Sequence, residues 1–224
     1  MTYTCQYCNH KFTREKTLAV HICEKKRRAL ARDERHVHLG FMTYVQFYKL
    51  TQHAKGTKTY EEFADSAYYN AFVKFGSFVS NVNPLYPEKF IDYIVTSGVK
   101  LDHWCNEGLY DEYVVDLLKK ENVETALERS ISHMMKWADD NDAQWNHYFK
   151  YVSLNRATFD IKDGKVSPWV ILNCNTGKDM IRRFSDDQLT AINKVIDPTF
   201  WVNKFRHLPA DVELVKDVIR ESHL

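Results

Sequence analysis

The chain has 224 residues, of which 44% are hydrophobic and 14% aromatic, and a formal net charge of +1. This length suits one main domain with a small appendage or two domains, and the composition is typical of a chain that folds around a core. No run reaches the roughly 18 apolar residues that a membrane helix requires, and the first residues lack an apolar signal segment, so a membrane protein and a secreted protein are both disfavoured.

The five cysteines are unevenly placed, because Cys5, Cys8 and Cys23 all fall in the first 23 residues. An odd number of cysteines in this arrangement argues against a disulfide framework and for metal chemistry. We therefore predict a metal site and a reducing compartment, with the cytosol as the default location.

The charge is also concentrated at the N-terminal end. Residues 1–35 carry nine Lys and Arg against four Asp and Glu, a net charge of +5, which leaves −4 for the remainder. A polyanion such as DNA or RNA is expected to contact the basic segment. The candidate nucleic-acid-binding residues are Lys11, Arg14, Lys16, Lys25, Lys26, Arg27, Arg28, Arg32 and Arg35.

The first predicted element is a metal-binding unit. Cys5 and Cys8 form a C-x2-C pair, Phe12 follows four residues later, Leu18 six after that, and His21 three after Leu18. This spacing resembles the C2H2 zinc-finger family up to its third ligand. The resemblance implies that the two cysteines lie on a short hairpin, that Phe12 and Leu18 form a small core, and that His21 projects from a helix onto zinc.

The fourth ligand departs from that family, which has a second His three to five residues after the first. The nearest donor here is Cys23, and residues i and i+2 do not share a helix face. Cys23 can therefore complete a tetrahedral site only if the helix, which Thr13 could cap, ends at about Ile22. We predict a zinc finger over residues 1–28 whose ligands are Cys5, Cys8, His21 and Cys23, with His36 or His38 as the alternative fourth ligand.

Residues 29–39 are predicted to form a basic helical linker that could lie along phosphates. A lone finger reads only about three base pairs, so binding without strict sequence specificity is favoured. The alternative is a zinc-stabilised unit that docks on a protein and carries a solvated charged helix.

Residues 40–155 are predicted to form a helical domain. Aromatic residues at helical spacing predict one helix over 41–54, a break over "KGTKT", and one long buried helix over 59–82 that starts at a Thr59–Glu62 capping box. A third helix is expected to begin at Pro87 and stop at Gly98, and two more are expected over 100–122 and 123–152.

Residues 156–224 are predicted to contain a β-hairpin at Asp163-Gly164 and then short helices that begin near Ser185 and Pro209, all packed on the helical domain. The predicted fold class is mainly α, with a small ββα-like zinc finger followed by a helical domain with one short β-hairpin.

No enzyme motif is present, although nuclease carboxylates are commonly dispersed and form no motif. Asp139, Asp140 and Asp142 with His147 match neither a calcium loop nor a metalloprotease helix. The Gly177-Lys178 pair lacks the preceding glycine spacing of a phosphate loop. No catalytic residue is predicted.

Several segments together resemble a family of small zinc-finger proteins of T4-type bacteriophages, particularly those of marine bacteria. They are the finger residues named above with Lys25 to Arg28, and then "SAYYNAFVKFG", "SPWVILN" and "IDPTFW". This resemblance implies the cytoplasm of a bacterial host and a role in phage nucleic-acid metabolism or in takeover of host machinery.

Residues 41–135 also resemble the helicase-loading proteins of T4-type phages, through the aromatic helix, "FIDYIV", Trp104, Tyr110 and Tyr113. That resemblance implies binding of forked DNA, although those loaders have no zinc finger. We therefore predict a nucleic-acid-binding adaptor in phage replication, recombination or transcription that recruits a phage or host partner protein through its helical body. The alternatives are a helicase loader, a phage nuclease or nucleic-acid-modifying enzyme, and a host-takeover factor that binds protein only.

Overall fold

A computed structural model describes residues 2–52 and 56–224. The described residues contain fifteen α-helices and two β-strands of two residues each, which confirms the predicted mainly α fold. They divide into two compact units, Met1–Leu109 and Tyr110–Leu224, and this division falls inside the range 40–155 that the sequence predicts as one domain. No helix within the described ranges has both the length and the apolar character needed to cross a bilayer.

The first unit starts with an antiparallel pair of strands in which Tyr3 lies opposite Phe12. Helices follow, and the last of them continues into the second unit. The elements are β1 (Tyr3–Thr4), β2 (Lys11–Phe12), α1 (Glu15–Ala19), α2 (Glu24–Leu30), α3 (Arg35–Thr51), α4 (Tyr60–Asp65), α5 (Tyr69–Val82), α6 (Pro87–Thr96) and α7 (Glu107–Lys120).

The described residues of the second unit form helices and connecting segments, with no β-strand among them. Its helices are α8 (Val123–Asn141), α9 (Tyr148–Tyr151), α10 (Leu154–Lys162), α11 (Pro168–Asn173), α12 (Asn175–Arg182), α13 (Asp186–Ile192), α14 (Pro198–His207) and α15 (Pro209–Ser222). The predicted helix starts are confirmed, because Ser185 forms a capping box with Gln188 and Pro209 is the first residue of α15.

Helices α3 and α5 of the first unit cross with their backbones in contact. A methyl group placed on Gly76 would lie 2.6 Å from the backbone nitrogen of Gly40, and one placed on Gly40 would lie 2.8 Å from the carbonyl oxygen of Phe72. Only glycine allows so close an approach, so these two positions fix how the helices pack.

The core of the first unit is aromatic. The Trp104 ring makes edge contacts with Phe47, Phe72 and Phe75 at centroid distances of 6.0, 6.1 and 5.3 Å. Its indole N–H donates to the carbonyl of Val99 at 2.9 Å, which satisfies the buried donor.

The predicted long helix over 59–82 is wrong, because the chain breaks between α4 and α5. The Thr59–Glu62 capping box is confirmed, but Ser66 is extended at φ −67° and ψ 139°. The guanidinium of Arg28 donates to the carbonyl of Ala64 at 2.6 Å, where α4 ends. A donor 36 residues away therefore satisfies a carbonyl that a continuous helix would have paired internally.

Other helix bounds differ more modestly. Helix α3 starts within the predicted linker, at Arg35, and the "IDYIVTSG" segment ends as predicted, with Gly98 at φ +75°. The helix predicted over 123–152 is interrupted after Asn141, where Asp142 adopts φ 49°. The end of the helix predicted over 41–54 and Lys55, the first residue of the predicted break, lie outside the described residues.

The predicted hairpin at Asp163-Gly164 is wrong, because the two residues end α10. Gly164 has φ +74°, its N–H donates to the carbonyl of Ile161 at 3.0 Å, and the next N–H, of Lys165, donates to the carbonyl of Asp160 at 2.8 Å. This pair of bonds is the Schellman motif of a helix C-terminus. A Gly at positive φ occurs both in hairpin turns and at helix C-termini, so the Asp-Gly dipeptide alone does not distinguish the two.

A buried carboxylate organises part of the second unit. The fully buried Asp160 accepts hydrogen bonds from the Tyr148 hydroxyl and the Arg156 guanidinium, both at 2.9 Å, and lies 2.9 Å from Nε2 of His133. Burial acts to raise the pKa of Asp160, but hydrogen bonds and charge from His133, Arg156 and Tyr148 outweigh it and lower the pKa.

Gly76→Ala is expected to destabilise the first unit by about 2 kcal/mol or more, because the added methyl meets backbone that cannot move aside. Urea unfolding, with amide hydrogen exchange to locate the effect, would measure it. Gly56→Ala is the matched control, since nothing lies within 4 Å of its added methyl. Equal stability of the two variants would contradict the close helix crossing.

Asp160→Asn is expected to destabilise the second unit by about 3 kcal/mol, because it removes the charge that His133 and Arg156 face in a buried site. The fold lowers the pKa of Asp160 below 3.8. The free energy of unfolding of the wild type should therefore exceed that of Asp160→Asn above about pH 4, and this difference should be lost as pH falls through the folded pKa. Urea unfolding at pH 7 and at lower pH would measure this, with the exposed Asp179→Asn as control. An equal loss of stability in Asp160→Asn at all pH values would contradict an ionised Asp160.

Candidate metal centre

The hairpin between β1 and β2 positions the first two cysteines. The N–H of Cys5 donates to the carbonyl of His10, and the N–H of Asn9 donates to the carbonyl of Cys5, both at 2.9 Å. Asn9 adopts φ 58°, a left-handed conformation that Asn tolerates better than most residues. The sequence "CQYCNH" therefore closes a tight turn that brings Cys5 and Cys8 into one cluster, as predicted.

The third donor, His21, lies just beyond α1 and not on it. The helix begins after Arg14 and ends at Ala19, without the side-chain cap predicted from Thr13. The N–H of His21 donates to the carbonyl of Leu18 at 3.1 Å, and its ring packs on Phe12 at a centroid distance of 4.8 Å. The prediction that His21 projects from a helix is therefore wrong.

The four predicted donors lie together. Cys8 Sγ is 3.3 Å from His21 Nε2, Cys5 Sγ is 4.0 Å from Cys23 Sγ, and all four ligand atoms lie within 4.8 Å of one another. A tetrahedral centre with metal–sulfur bonds of about 2.3 Å separates two sulfurs by about 3.8 Å, so these distances fit one ion. Cys5 is buried and the other three are half-buried. The cluster could bind a metal ion.

Cys23 completes this group, and neither alternative histidine does. Within residues 2–52 and 56–224, the cluster of Cys5, Cys8, His21 and Cys23 is the one group of three or more His, Cys, Asp or Glu side chains found close enough to hold an ion. His36 and His38 lie in α3, and His36 Nε2 is 3.5 Å from a carboxylate oxygen of Glu34.

Cys23 reaches the cluster because the chain is not helical between Ala19 and Glu24. Cys23 is extended, with φ −87° and ψ 165°, and is the N-cap of α2. Its Sγ accepts a hydrogen bond from the backbone N–H of Lys26 at 3.4 Å. The condition that the finger helix must end before Cys23 is thus met, and the same sulfur serves the cluster and the start of the next helix.

The thiols are electrostatically unequal. The backbone N–H of Cys8 is the main group that lowers the pKa of Cys5, against opposing desolvation. The backbone N–H of His10 acts to lower the pKa of Cys8, but desolvation and the thiols of Cys5 and Cys23 raise it overall. The Cys8 thiol therefore loses its proton less readily unless a cation balances the charge.

The nine candidate nucleic-acid-binding residues fall into two groups. In the first group the cation contacts this chain. Lys25 pairs with Asp65 at 2.9 Å, and Lys26 donates to the His21 carbonyl at 3.2 Å. Arg32 lies 5.1 Å from the Tyr60 ring centroid, and Arg28 contacts α4 and α5. Arg35 donates to the Asn83 side chain at 2.7 Å.

The second group consists of Lys11 on β2, Arg14 and Lys16 at α1, and Arg27 on α2, all exposed. No hydrogen bond or ion pair with another part of the described chain engages these four side chains. They are the cations of the N-terminal segment that remain available to a ligand.

The residues that receive α2 were not predicted from the sequence. Tyr60, Asp65 and Tyr69 contact the basic helix from α4 and α5, more than thirty residues along the chain. No local pattern signals such a contact, because helical periodicity identifies Tyr60 and Tyr69 only as core residues.

Comparison with protein-family models, with curated proteins and with solved structures found no match to this chain. Only the chemistry of the site therefore indicates a function.

Cys23→Ser is expected to weaken binding of one divalent ion by about 100-fold or more, because a hydroxyl does not replace a thiolate ligand. Titration with Co²⁺, whose thiolate complexes absorb in the near ultraviolet, would measure the affinity. Cys105→Ser is the control, since Cys105 is half-buried in the same unit and lies outside the cluster. Equal Co²⁺ affinity of the two variants would remove Cys23 from the ligand set.

Proposed function

We propose that this chain is a zinc-dependent nucleic-acid-binding adaptor. In this proposal the cluster of Cys5, Cys8, His21 and Cys23 holds Zn²⁺, nearby exposed cations bind phosphates, and the helical units bind a partner protein. The observation that carries the proposal is a four-donor cluster in a segment whose exposed cations make no hydrogen bond or ion pair with the described residues.

The donor set supports zinc. Three sulfurs and one imidazole nitrogen are soft and borderline ligands, which suit Zn²⁺ and do not suit Mg²⁺ or Ca²⁺. Four protein donors also leave no position for a substrate or a reactive water, so the ion would stabilise local structure. The finger has a very small core, and bound zinc would supply much of its folding free energy.

The exposed cations support phosphate contacts. Lys11, Arg14 and Lys16 lie on the finger, and Arg27 lies on the helix that follows Cys23. Cations without an intramolecular partner can bind phosphates without first breaking an ion pair. Because their number is small, we propose binding that depends on backbone charge and nucleic-acid shape more than on sequence.

The proposed partner is a replication, recombination or transcription protein, in keeping with the resemblance to phage proteins. The part of the chain beyond the basic segment carries a net charge of −4, which would keep that part away from phosphates. Residues Tyr151 and Phe159 of the second unit are 69% and 63% exposed, and aromatic side chains of this kind are enriched where proteins bind one another.

A second candidate function is docking on a protein alone. The observation that favours it is the exposure of Val20 (77%), Ile22 (69%) and Leu30 (67%), which lie next to His21 and on α2. Aliphatic side chains contribute little to binding of phosphates but much to a protein interface.

The test is a fourfold variant in which Lys11, Arg14, Lys16 and Arg27 are replaced by Ala. We expect it to bind DNA or RNA more weakly. On duplex DNA the slope of log affinity against log salt should fall in magnitude by about 3.6, because each of the four phosphate contacts contributes about 0.9. Fluorescence anisotropy with single-stranded, double-stranded and forked DNA and with RNA, across a salt series, would measure both quantities.

The control for that experiment removes the same charge from the second unit, by replacing the exposed Lys136, Lys150, Lys178 and Lys194 with Ala. A slope that falls equally in both variants would show a general charge effect and contradict the proposed interface. If wild-type protein loaded with zinc binds none of the four nucleic acids, protein docking becomes the better function.

A further inference from the structure

We infer that Arg28 and Tyr60 are positioning residues for the metal centre, which hold the fourth ligand in place from outside the finger. The inference rests on the metal-binding part of the proposed function and is independent of nucleic-acid binding.

The four donors come from two structural sources. Cys5, Cys8 and His21 belong to the hairpin and the segment after α1, which form the finger itself. Cys23 instead starts α2, to which it is bound through the hydrogen bond between Lys26 N–H and its own Sγ. The position of the fourth ligand therefore depends on where α2 lies.

Helix α2 has seven residues, too few to be stable alone in water. Its apolar content cannot anchor it either, because none of its residues is buried. Some other contact must fix the helix, and polar groups supply it.

Arg28 makes the main contact. Its guanidinium donates to the carbonyl of Ala64 at 2.6 Å and to that of Ser66 at 3.5 Å, and lies 4.3 Å from the centroid of the Tyr69 ring. The side chain is only 17% exposed and also pairs with Glu24 on its own helix. One residue thus joins α2 to the end of α4 and the start of α5, where the Ser66 carbonyl also accepts a hydrogen bond from the N–H of Tyr69 at 3.2 Å.

Tyr60 makes the reciprocal contact. The buried hydroxyl of Tyr60 donates to the carbonyl of Arg28 at 2.6 Å, which satisfies a carbonyl near the C-terminal end of α2. Burial raises the pKa of Tyr60, so the hydroxyl stays protonated and remains a donor. The exposed pair of Lys25 and Asp65 adds a weaker contact between the same helices.

Cys23 lies five residues before Arg28, a rise of about 7.5 Å along a helix. An α2 held at Arg28 therefore presents Cys23 in a narrow range of positions. A free α2 would have to be ordered when the ion binds, and this ordering would reduce the measured affinity. Residues that orient metal ligands from outside the coordination sphere commonly change metal affinity by about 10- to 100-fold.

The experiment is a Co²⁺ titration of the full chain against a competing chelator, in wild type, Arg28→Ala and Tyr60→Phe. We expect affinity to fall about 10-fold or more for Arg28→Ala and about 5-fold for Tyr60→Phe, with one ion bound at saturation in each. The matched controls are Arg27→Ala, on the same helix but exposed, and Tyr68→Phe, which is 59% exposed. Both controls should bind Co²⁺ as wild type does.

Hydrogen exchange of α4 and α5 would show whether Arg28→Ala also disturbs the body. If Arg28→Ala disturbs the body, the Co²⁺ affinity of Tyr60→Phe tests the positioning role, since this variant removes one oxygen and keeps the packed ring. Unchanged Co²⁺ affinity in Tyr60→Phe and Arg28→Ala, with wild type binding one ion, would overturn the positioning role alone. Failure of wild type to bind any ion would overturn the metal-binding part of the proposed function as well.

Discussion

The arrangement of the helices in the first unit depends most on the contacts that the guanidinium of Arg28 makes. It lies where α2, α4 and α5 meet, and it binds carbonyls at the point where the chain leaves α4. A planar cation with five donors suits this position, because it can bind two carbonyls and lie on an aromatic ring at once. Lysine could not make the same set of contacts, so this one arginine joins α2 to the break between α4 and α5.

This contact changes the interpretation of the basic segment. A run such as "EKKRR" indicates a polyanion site when it is considered as a sequence. In the structure, Arg28 is mostly buried and Lys25, Arg32 and Arg35 contact other parts of the unit. The segment therefore combines two roles, with some cations holding the fold and others, such as Arg27, facing solvent.

Sequence alone predicted those features that depend on neighbours along the chain. The Cys5–Cys8 turn, the Thr59 capping box and the proline starts all depend on residues within a few positions, and each is present. The end of α1 was also deducible in part, because the chemistry of Cys23 requires the helix to stop. The four predicted donors thus lie close enough together to bind one ion, although His21 lies off the helix.

The features that sequence failed to predict are set by distant residues or by ambiguous local signals. The break near Ser66 depends on a side chain from α2, and periodicity continues across it without interruption. Asp163-Gly164 has the composition of a hairpin turn, but Ile161 and Asp160 supply carbonyls that make it a helix end. In the first case the partner is a side chain distant in sequence, and in the second it is a backbone carbonyl, which carries no mark in the sequence.

The dependence of Cys23 on α2 also limits how freely this finger could be exchanged during evolution. Ordinary fingers carry all four ligands within one module, which can be duplicated, transferred or joined to unrelated domains without loss. Here a recombination event that separated residues 1–22 from α2 would leave three donors, and one that separated α2 from α4 would leave the fourth unsupported. In the proposed metal centre, transfer of the finger to another protein would keep its four donors only if the helices behind it were transferred with it.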